Sequence, residues 1–361
     1  MPDLPLDERN TDRIRSACRA WFGADLPVLE PLPAGFSGAQ PVVVRAGPDA
    51  WVVKSFPATA NRARAAWIHG LMRHLRESGV EEVPPLMATP DGGTFREAAA
   101  GIWEVVGFVS GVSTEAPTPA QAREAARVLA RIHQAARTWP GEPPRRGTSP
   151  GLLERRRRAA LLGDDPWPAC GGCPAPAGGF RAAVAMRRVA AGETFAAFGG
   201  TRIMRLWSSV ALPEADLQPV LRDVWSDHVL FAPGQPERVA GVVDFHAAGI
   251  DTPALDVARL FGSWRSSADR RYLPLDARWR EAMAAYVDEG PLTNRELGLV
   301  PVLHALGVVF GLDNWFRWAL DEHREFSDSQ RALERIDVLL GELPAALALL
   351  GEHRVETGLT L

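Results

Sequence analysis

Leu221-Arg222-Asp223-Val224-Trp225-Ser226-Asp227-His228-Val229-Leu230-Phe231, followed thirteen residues later by Asp244 at the end of Val239-Ala240-Gly241-Val242-Val243, is the part of this chain that decides its fold. Two carboxylates bracket a β-hairpin there, and a hairpin brings both to one cleft. In phosphoryl transfer one carboxylate orients or deprotonates the attacking hydroxyl, while another holds a divalent metal on the nucleotide phosphates. Each aspartate also has a plainer explanation, Asp223 as the cap of a turn and Asp244 as a surface strand end. A carboxylate directly after five apolar residues nevertheless costs free energy to desolvate unless it has a partner or a task.

The third member of the constellation lies upstream. The chain has forty lysines plus arginines, and Lys54 is its one lysine. An ammonium is a compact point charge that fits between phosphate oxygens, whereas a guanidinium is a broad planar fork with different geometry. Lys54 ends the apolar run Trp51-Val52-Val53, as a nucleotide-binding lysine ends a kinase strand, and reads as a phosphate ligand. The alternative is a chance survivor of an arginine-rich composition.

The 361 residues are 46% apolar and 23% charged, which suits a globular protein of two lobes. A net charge of −4 argues against a nucleic-acid scaffold. With an acidic, polar N-terminus and no run of eighteen uncharged apolar residues, no membrane association and a cytoplasmic location are expected. Three cysteines make no disulfide framework, and the single CxxC of Cys170 and Cys173 lacks a second pair to complete a zinc site.

Short β-like runs fill the first third: 40–46, 51–54 and 102–106, the first two joined through Gly47-Pro48-Asp49. Between them Trp67, Ile68, Leu71, Met72 and Leu75 recur at helical spacing over 61–78. Thr118, Pro119 and Gln121 announce a capped helix with Ala125, Val128, Leu129 and Ile132 facing the core. A helix over 152–162 carries Arg155 to Arg158, read as a solvated face with carboxylate partners ahead of a phosphate site. Residues 164–179 read as an exposed loop, and the chain is mostly helical from Arg278.

These residues resemble, in order and spacing, the aminoglycoside phosphotransferase and choline kinase-like superfamily, over about 32–350. Pro33-Ala34-Gly35-Phe36-Ser37-Gly38-Ala39 is similar to the nucleotide-covering loop, Lys54 to the phosphate lysine, and 106–111 to the hinge. Leu129-Ala130-Arg131-Ile132-His133 is similar to the helix preceding the catalytic loop. Asp223 falls on the aspartate of the HxDxxxxN motif, Asp244 on the metal aspartate, and Asp256 on a structural aspartate. The resemblance implies an α+β, bilobal protein kinase-like fold. Its smaller lobe, 1–110, would be an antiparallel sheet, and its larger, mostly helical lobe would span 111–361.

The chain departs from the pattern at three places. Leu221 replaces the motif's histidine, and His228 replaces its asparagine. Magnesium prefers hard oxygen ligands, so an imidazole there favours manganese or serves instead to stabilise the loop. No glutamate occupies the middle of 61–78 to pair with Lys54; His69 stands there, leaving Asp244 as the lysine's expected partner. Trp225 and Asp227 face the acceptor or pack beneath the loop, and His246 has a plain loop role.

The expected activity is transfer of the γ-phosphoryl group of ATP to a hydroxyl of a small molecule. Asp223 is the catalytic residue, and Lys54, Gly35, Ser37, Gly38, Val106 and Phe108 bind nucleotide. Asp244 and His228 hold Mg or Mn. The Val106 to Phe108 backbone would bind adenine because an extended hinge offers unpaired amide and carbonyl groups. The alternative is a pseudokinase that binds nucleotide or a partner without chemistry. Asp321, Glu322, Glu325 and Asp328 would attract a cationic acceptor such as an aminoglycoside or choline, or form a solvated acidic face. Trp264, Trp315 and Trp318 line a pocket or belong to the core.

Overall fold

The computed structural model describes residues 8–23, 28–32, 41–98, 101–164, 166–167, 178–265 and 277–357. Gly35, Ser37, Gly38, Cys170 and Cys173 lie outside them. The first part runs α1 (Glu8–Phe22), β1 (Leu29–Pro31), β2 (Val42–Ala46), β3 (Asp49–Ser55), α2 (Arg62–Glu77), β4 (Phe95–Ala98) and β5 (Gly101–Gly107). Its strands form one antiparallel sheet in the order β1-β2-β3-β5-β4.

Because side chains alternate along a strand, each face of this sheet acquires its own helix. Val53, Trp103 and Val105 pack with Ile14, Ala17, Cys18 and Trp21 of α1. Ile102 and Val106 point the other way, into the core that contains Ile68, Leu71, Met72 and Leu75 of α2. Lys54 and Glu104 therefore share the α2 face, and the register sets them directly opposite each other.

The remainder runs α3 (Pro119–Arg137), β6 (Arg145–Thr148), α4 (Pro150–Asp164), α5 (Gly179–Ala197), α6 (Gly200–Ser209), β7 (Glu214–Val220), β8 (Val229–Ala232), β9 (Gln235–Val242), β10 (Gly249–Asp251), α7 (Pro253–Phe261), α8 (Ala277–Glu289), α9 (Asn294–Leu297), α10 (Leu299–Phe316) and α11 (Ser329–Thr357). The Thr118–Gln121 capping box forms as read from sequence. So does the hairpin between the two aspartates, as the antiparallel pair β8–β9.

The stretch Asn294–Asp321, which contains α10, is long and apolar enough to cross a membrane, but 67% of its apolar window is buried inside the protein. Val302, Leu306 and Val309 of α10 share one core with Ile336, Leu343 and Leu347 of α11. Trp315 also belongs to that core, with Trp318 partly buried against it.

Asp256, fully buried on α7, fixes the segment ahead of the hairpin. Its carboxylate accepts from the backbone N–H groups of Leu221 and Arg222, both at 2.6 Å, and lies 3.1 Å from His133 Nε2. His133 in turn meets the Tyr286 hydroxyl at 2.7 Å. Asp256→Ala would strand one buried donor, one part-buried donor and a buried imidazole. A loss of about 2–4 kcal/mol in urea unfolding is expected, since each unsatisfied buried group costs about 1–3 kcal/mol. A loss within experimental error would show that other groups position this segment.

Candidate active site

Lys54 sits at the end of β3, with its ammonium 3.2 Å from Glu104 Oε1 and 3.4 Å from Asp244 Oδ1. The pairing with Asp244 is the one the sequence led us to expect. The pairing with Glu104 is not. Glu104 was missed because its partner depends on strand register, although a glutamate inside Ile102-Trp103-Glu104-Val105-Val106 already demanded one.

His69 stands in α2 where a glutamate was expected, and its Nε2 lies 2.6 Å from Glu104 Oε2 while Nδ1 lies 2.8 Å from Thr94 Oγ1. The lysine's buried carboxylate thus comes from the adjacent strand, and the helix supplies a histidine that holds it. His246 completes the cluster. Its Nε2 is 2.8 Å from Glu104 Oε1 and its ring stacks on Phe56 at 4.2 Å, so the plain loop role read from sequence gives way to a tie between loop and sheet.

Burial raises the pKa of Glu104, but Lys54 and His246 outweigh it and hold the carboxyl well below its usual range. Asp244 behaves alike: burial pushes up, while Lys54, His228 and His246 pull harder, bringing it to about 2. Burial disfavours the charged ammonium of Lys54, yet Glu104 and Asp244 together raise its pKa. At neutral pH the cluster is one ammonium between two carboxylates.

Asp244 follows β9 with φ 65°, and Arg222, just before Asp223, has φ 64°. Both are left-handed conformations that cost a non-glycine residue about 1–2 kcal/mol. Arg222 is held there by its N–H bond to Asp256 and by its guanidinium on the Ile250 carbonyl at 2.6 Å. Asp223 Oδ1 accepts from Arg259 Nη2 at 2.9 Å and Nε at 3.2 Å, a partner not singled out from sequence.

His228 lies between the two aspartates. Its Nδ1 is 2.7 Å from the Asp223 carbonyl, which requires the proton on Nδ1, and its Nε2 accepts from the Trp225 indole at 2.9 Å. Nε2 is 3.8 Å from Asp244 Oδ2. Its lone pair is thus engaged by Trp225, and the geometry is that of a brace for the loop. Asp227 pairs with Arg331 at 2.5 Å.

The hinge requires a correction. The N–H groups of Gly107 and Phe108 are not unpaired, since they donate to Pro85 O at 2.8 Å and Ala50 O at 2.9 Å. Val106 pairs with Val52 and bridges Leu86. Sheet pairing extends one residue past β5 and consumes these donors. Phe108 is 37% exposed.

A divalent cation fits the donor set at Asp244, whose carboxylate is ionised and 43% exposed. Among the described residues no three His, Cys, Asp or Glu side chains gather into a complete cage. That suits an ion held by one or two carboxylates together with substrate phosphates. A cavity of about 560 Å³ opens beside Asp223, Trp225, His228 and Asp244 and extends toward α4, α10 and α11.

Residues 28–291 match the model of the phosphotransferase enzyme family. The chain belongs to that family. It is 26% identical over 301 residues to a homoserine kinase of Gluconacetobacter diazotrophicus, covering 82% of this chain and 84% of that one. In structure it is similar to a spectinomycin phosphotransferase solved with ADP and spectinomycin (TM-score 0.63, 11% identity, 93% and 96% covered). It is also similar to an amicoumacin kinase solved with AMP-PNP and Ca2+ (TM-score 0.58, 11% identity, 93% and 94% covered). The kinase-like α+β fold expected from the sequence is thus the fold found, and nothing in these likenesses favours a pseudokinase.

Two outcomes are expected at this cluster. Carboxylates with depressed folded-state pKa values stabilise the protein above their unfolded values, about pH 4, and that stability is lost as pH falls through the folded ones. Unfolding free energy should therefore decline between pH 5 and pH 2, and Glu104→Gln should flatten the decline while lowering stability at neutral pH. An unchanged acid limb in the variant would remove Glu104 as its source. His228→Asn should lower the melting temperature and leave the preference for magnesium or manganese unaltered. A shift toward magnesium would instead identify the imidazole as a ligand.

Proposed function

We propose that the protein transfers the γ-phosphoryl group of ATP to a hydroxyl of a small molecule, with Asp223 as the group that orients the hydroxyl and takes its proton. The reading is carried by one observation. Lys54 and Asp244 converge to 3.4 Å on one side of His228, while the Asp223 backbone anchors its other side and the Asp223 carboxylate lines the cavity. Lys54 is placed to hold nucleotide phosphates, exchanging Asp244 for them as they arrive.

Magnesium or manganese, held by Asp244 with the phosphates, would neutralise charge on the transferring group. Arg259 keeps the Asp223 carboxylate aimed until the acceptor displaces it. Adenine would lie at the hinge against the Phe108 ring rather than on the Gly107 and Phe108 amides, with Gly35, Ser37 and Gly38 covering the phosphates. The smaller lobe would span 1–110 and the larger 111–361, and the protein would work in the cytoplasm. Homoserine is a first acceptor to test, because curated relatives are named for it.

The test is transfer of labelled γ-phosphate from ATP to a panel of small alcohols that includes homoserine, with either metal. Asp223→Asn should lower kcat by about 10²–10⁴ and leave nucleotide affinity in place, because the amide cannot accept the proton. Full activity in the variant would exclude the base role. Nucleotide stabilisation with no transfer across a broad panel would favour the pseudokinase.

A further inference from the structure

The cavity beside Asp223 is cationic. Six arginines line it (Arg155, Arg158, Arg222, Arg259, Arg324 and Arg335) against three carboxylates (Glu154, Asp223 and Asp244). Four of the six already have partners. Arg158 pairs with Asp313 at 2.6 Å, Arg259 with Asp223, and Arg222 with the Ile250 carbonyl. Arg324 stacks over Trp318 and Phe326, 5.3 Å from each ring centre.

Arg155 and Arg335 differ. Among the described residues neither has a carboxylate within salt-bridge distance; Arg155 Nη1 donates to the Gly151 carbonyl at 3.1 Å and Arg335 Nη1 to the Ser263 carbonyl at 3.5 Å. Arg155 Nε is buried without an acceptor among them. Burial pulls both guanidinium pKa values down to about 10; at Arg155 the more distant Asp251 and Glu154 oppose it while Arg158 and Arg259 add to it, and at Arg335 Arg259 and Arg265 add to it while Glu342 and Glu115 oppose it, so both remain charged at neutral pH. Desolvated cations with spare donors are stabilised by an anion that accepts from them.

We propose that the acceptor alcohol carries an anionic group, a carboxylate or a phosphate ester, bound by Arg155 of α4 and Arg335 of α11 while its hydroxyl meets Asp223. This rests on the phosphotransferase reading and gives its substrate class. Arg155 comes from the four-arginine run whose phosphate-binding reading ranked second in the sequence. The acidic residues Asp321, Glu322, Glu325 and Asp328, which suggested a cationic acceptor, are not among the cavity's walls. The volume suits a ligand larger than a few atoms, and Trp315 and Trp318 offer apolar walls for its body.

The experiment measures affinity for matched alcohols that differ in head group: γ-hydroxybutyrate, hydroxypropyl phosphate, aminobutanol and butanediol, each titrated with and without AMP-PNP and metal. AMP-PNP binding, measured first, reports on the phosphotransferase reading by itself. At least one anionic alcohol should bind about tenfold more tightly than aminobutanol and butanediol, the equivalent of about 1.4 kcal/mol. The carboxylate and phosphate arms identify which head is preferred. Arg155→Gln and Arg335→Gln should each abolish that preference and retain AMP-PNP affinity, which also shows that the variants are folded. Equal binding of cationic or neutral alcohols, no anion binding at millimolar concentration, or a matching loss of AMP-PNP affinity in the variants would overturn the proposal. The last result would place these arginines on the nucleotide.

Discussion

A single ammonium that must stay charged while buried is the constraint from which the site follows. Burying an unpaired cation costs several kcal/mol, so Lys54 needs a carboxylate that cannot move away. Antiparallel register supplies it, because Glu104 lies directly across from Lys54 on β5. Glu104 needs partners of its own, and His69 from α2 and His246 from the loop after β9 provide them. One buried carboxylate thereby joins sheet, helix and loop. A glutamate on α2 is unnecessary here, since the histidine in its place serves the same carboxylate from the other side.

The second anchor, Asp256, works on the backbone. By taking the N–H groups of Leu221 and Arg222 it holds Arg222 in the left-handed region, which turns the chain immediately before Asp223. Asp244 has the same conformation, with its carboxylate oriented by Lys54 and by the His246 N–H at 3.4 Å. Strained residues persist only where the surroundings over-determine them. Of the three non-glycine residues in the left-handed region among the described ones, Arg222 and Asp244 adjoin the proposed chemistry and are fixed by members of these two clusters, while His323 lies outside it.

Much of this was legible in the residues. Lys54 stood out by its uniqueness, the two aspartates by their hairpin, and α3 by its capping box. The helix over 61–78 was read from periodicity and is found as α2. Much of what escaped was tertiary or too short to carry a period, although α5, α6 and β7 were not singled out either. β1 and β10 have three residues each, and β4 and β6 have four, below what alternation can register. Helix α1 was passed over for its polar composition, although Ile14, Ala17, Cys18 and Trp21 sit at helical spacing and are buried against the sheet. The hinge misled for a physical reason, because an extended run offers free amides only where no neighbour pairs with it. Glu104 and Arg259 needed the register of β3 on β5 and the packing of α7 on the hairpin segment, neither of which any local window contains.

The ion pairs divide by exposure in a way that matches what each must do. Lys54 and Glu104 are 16% and 2% exposed, so their pair is shielded from water and from salt. Asp244, at 43%, and the pair of Asp223 with Arg259, at 47% and 43%, lie in a much wetter setting. Pairs exposed on both sides contribute little to stability, about 0–1 kcal/mol, so exchanging the Asp223–Arg259 contact for a substrate costs the fold almost nothing. The site thus keeps its strong contact where Lys54 must not move and its weak contacts where phosphates and an acceptor hydroxyl must enter. Reversing that arrangement would leave an exposed, wandering lysine and a buried aspartate too firmly paired to accept a proton.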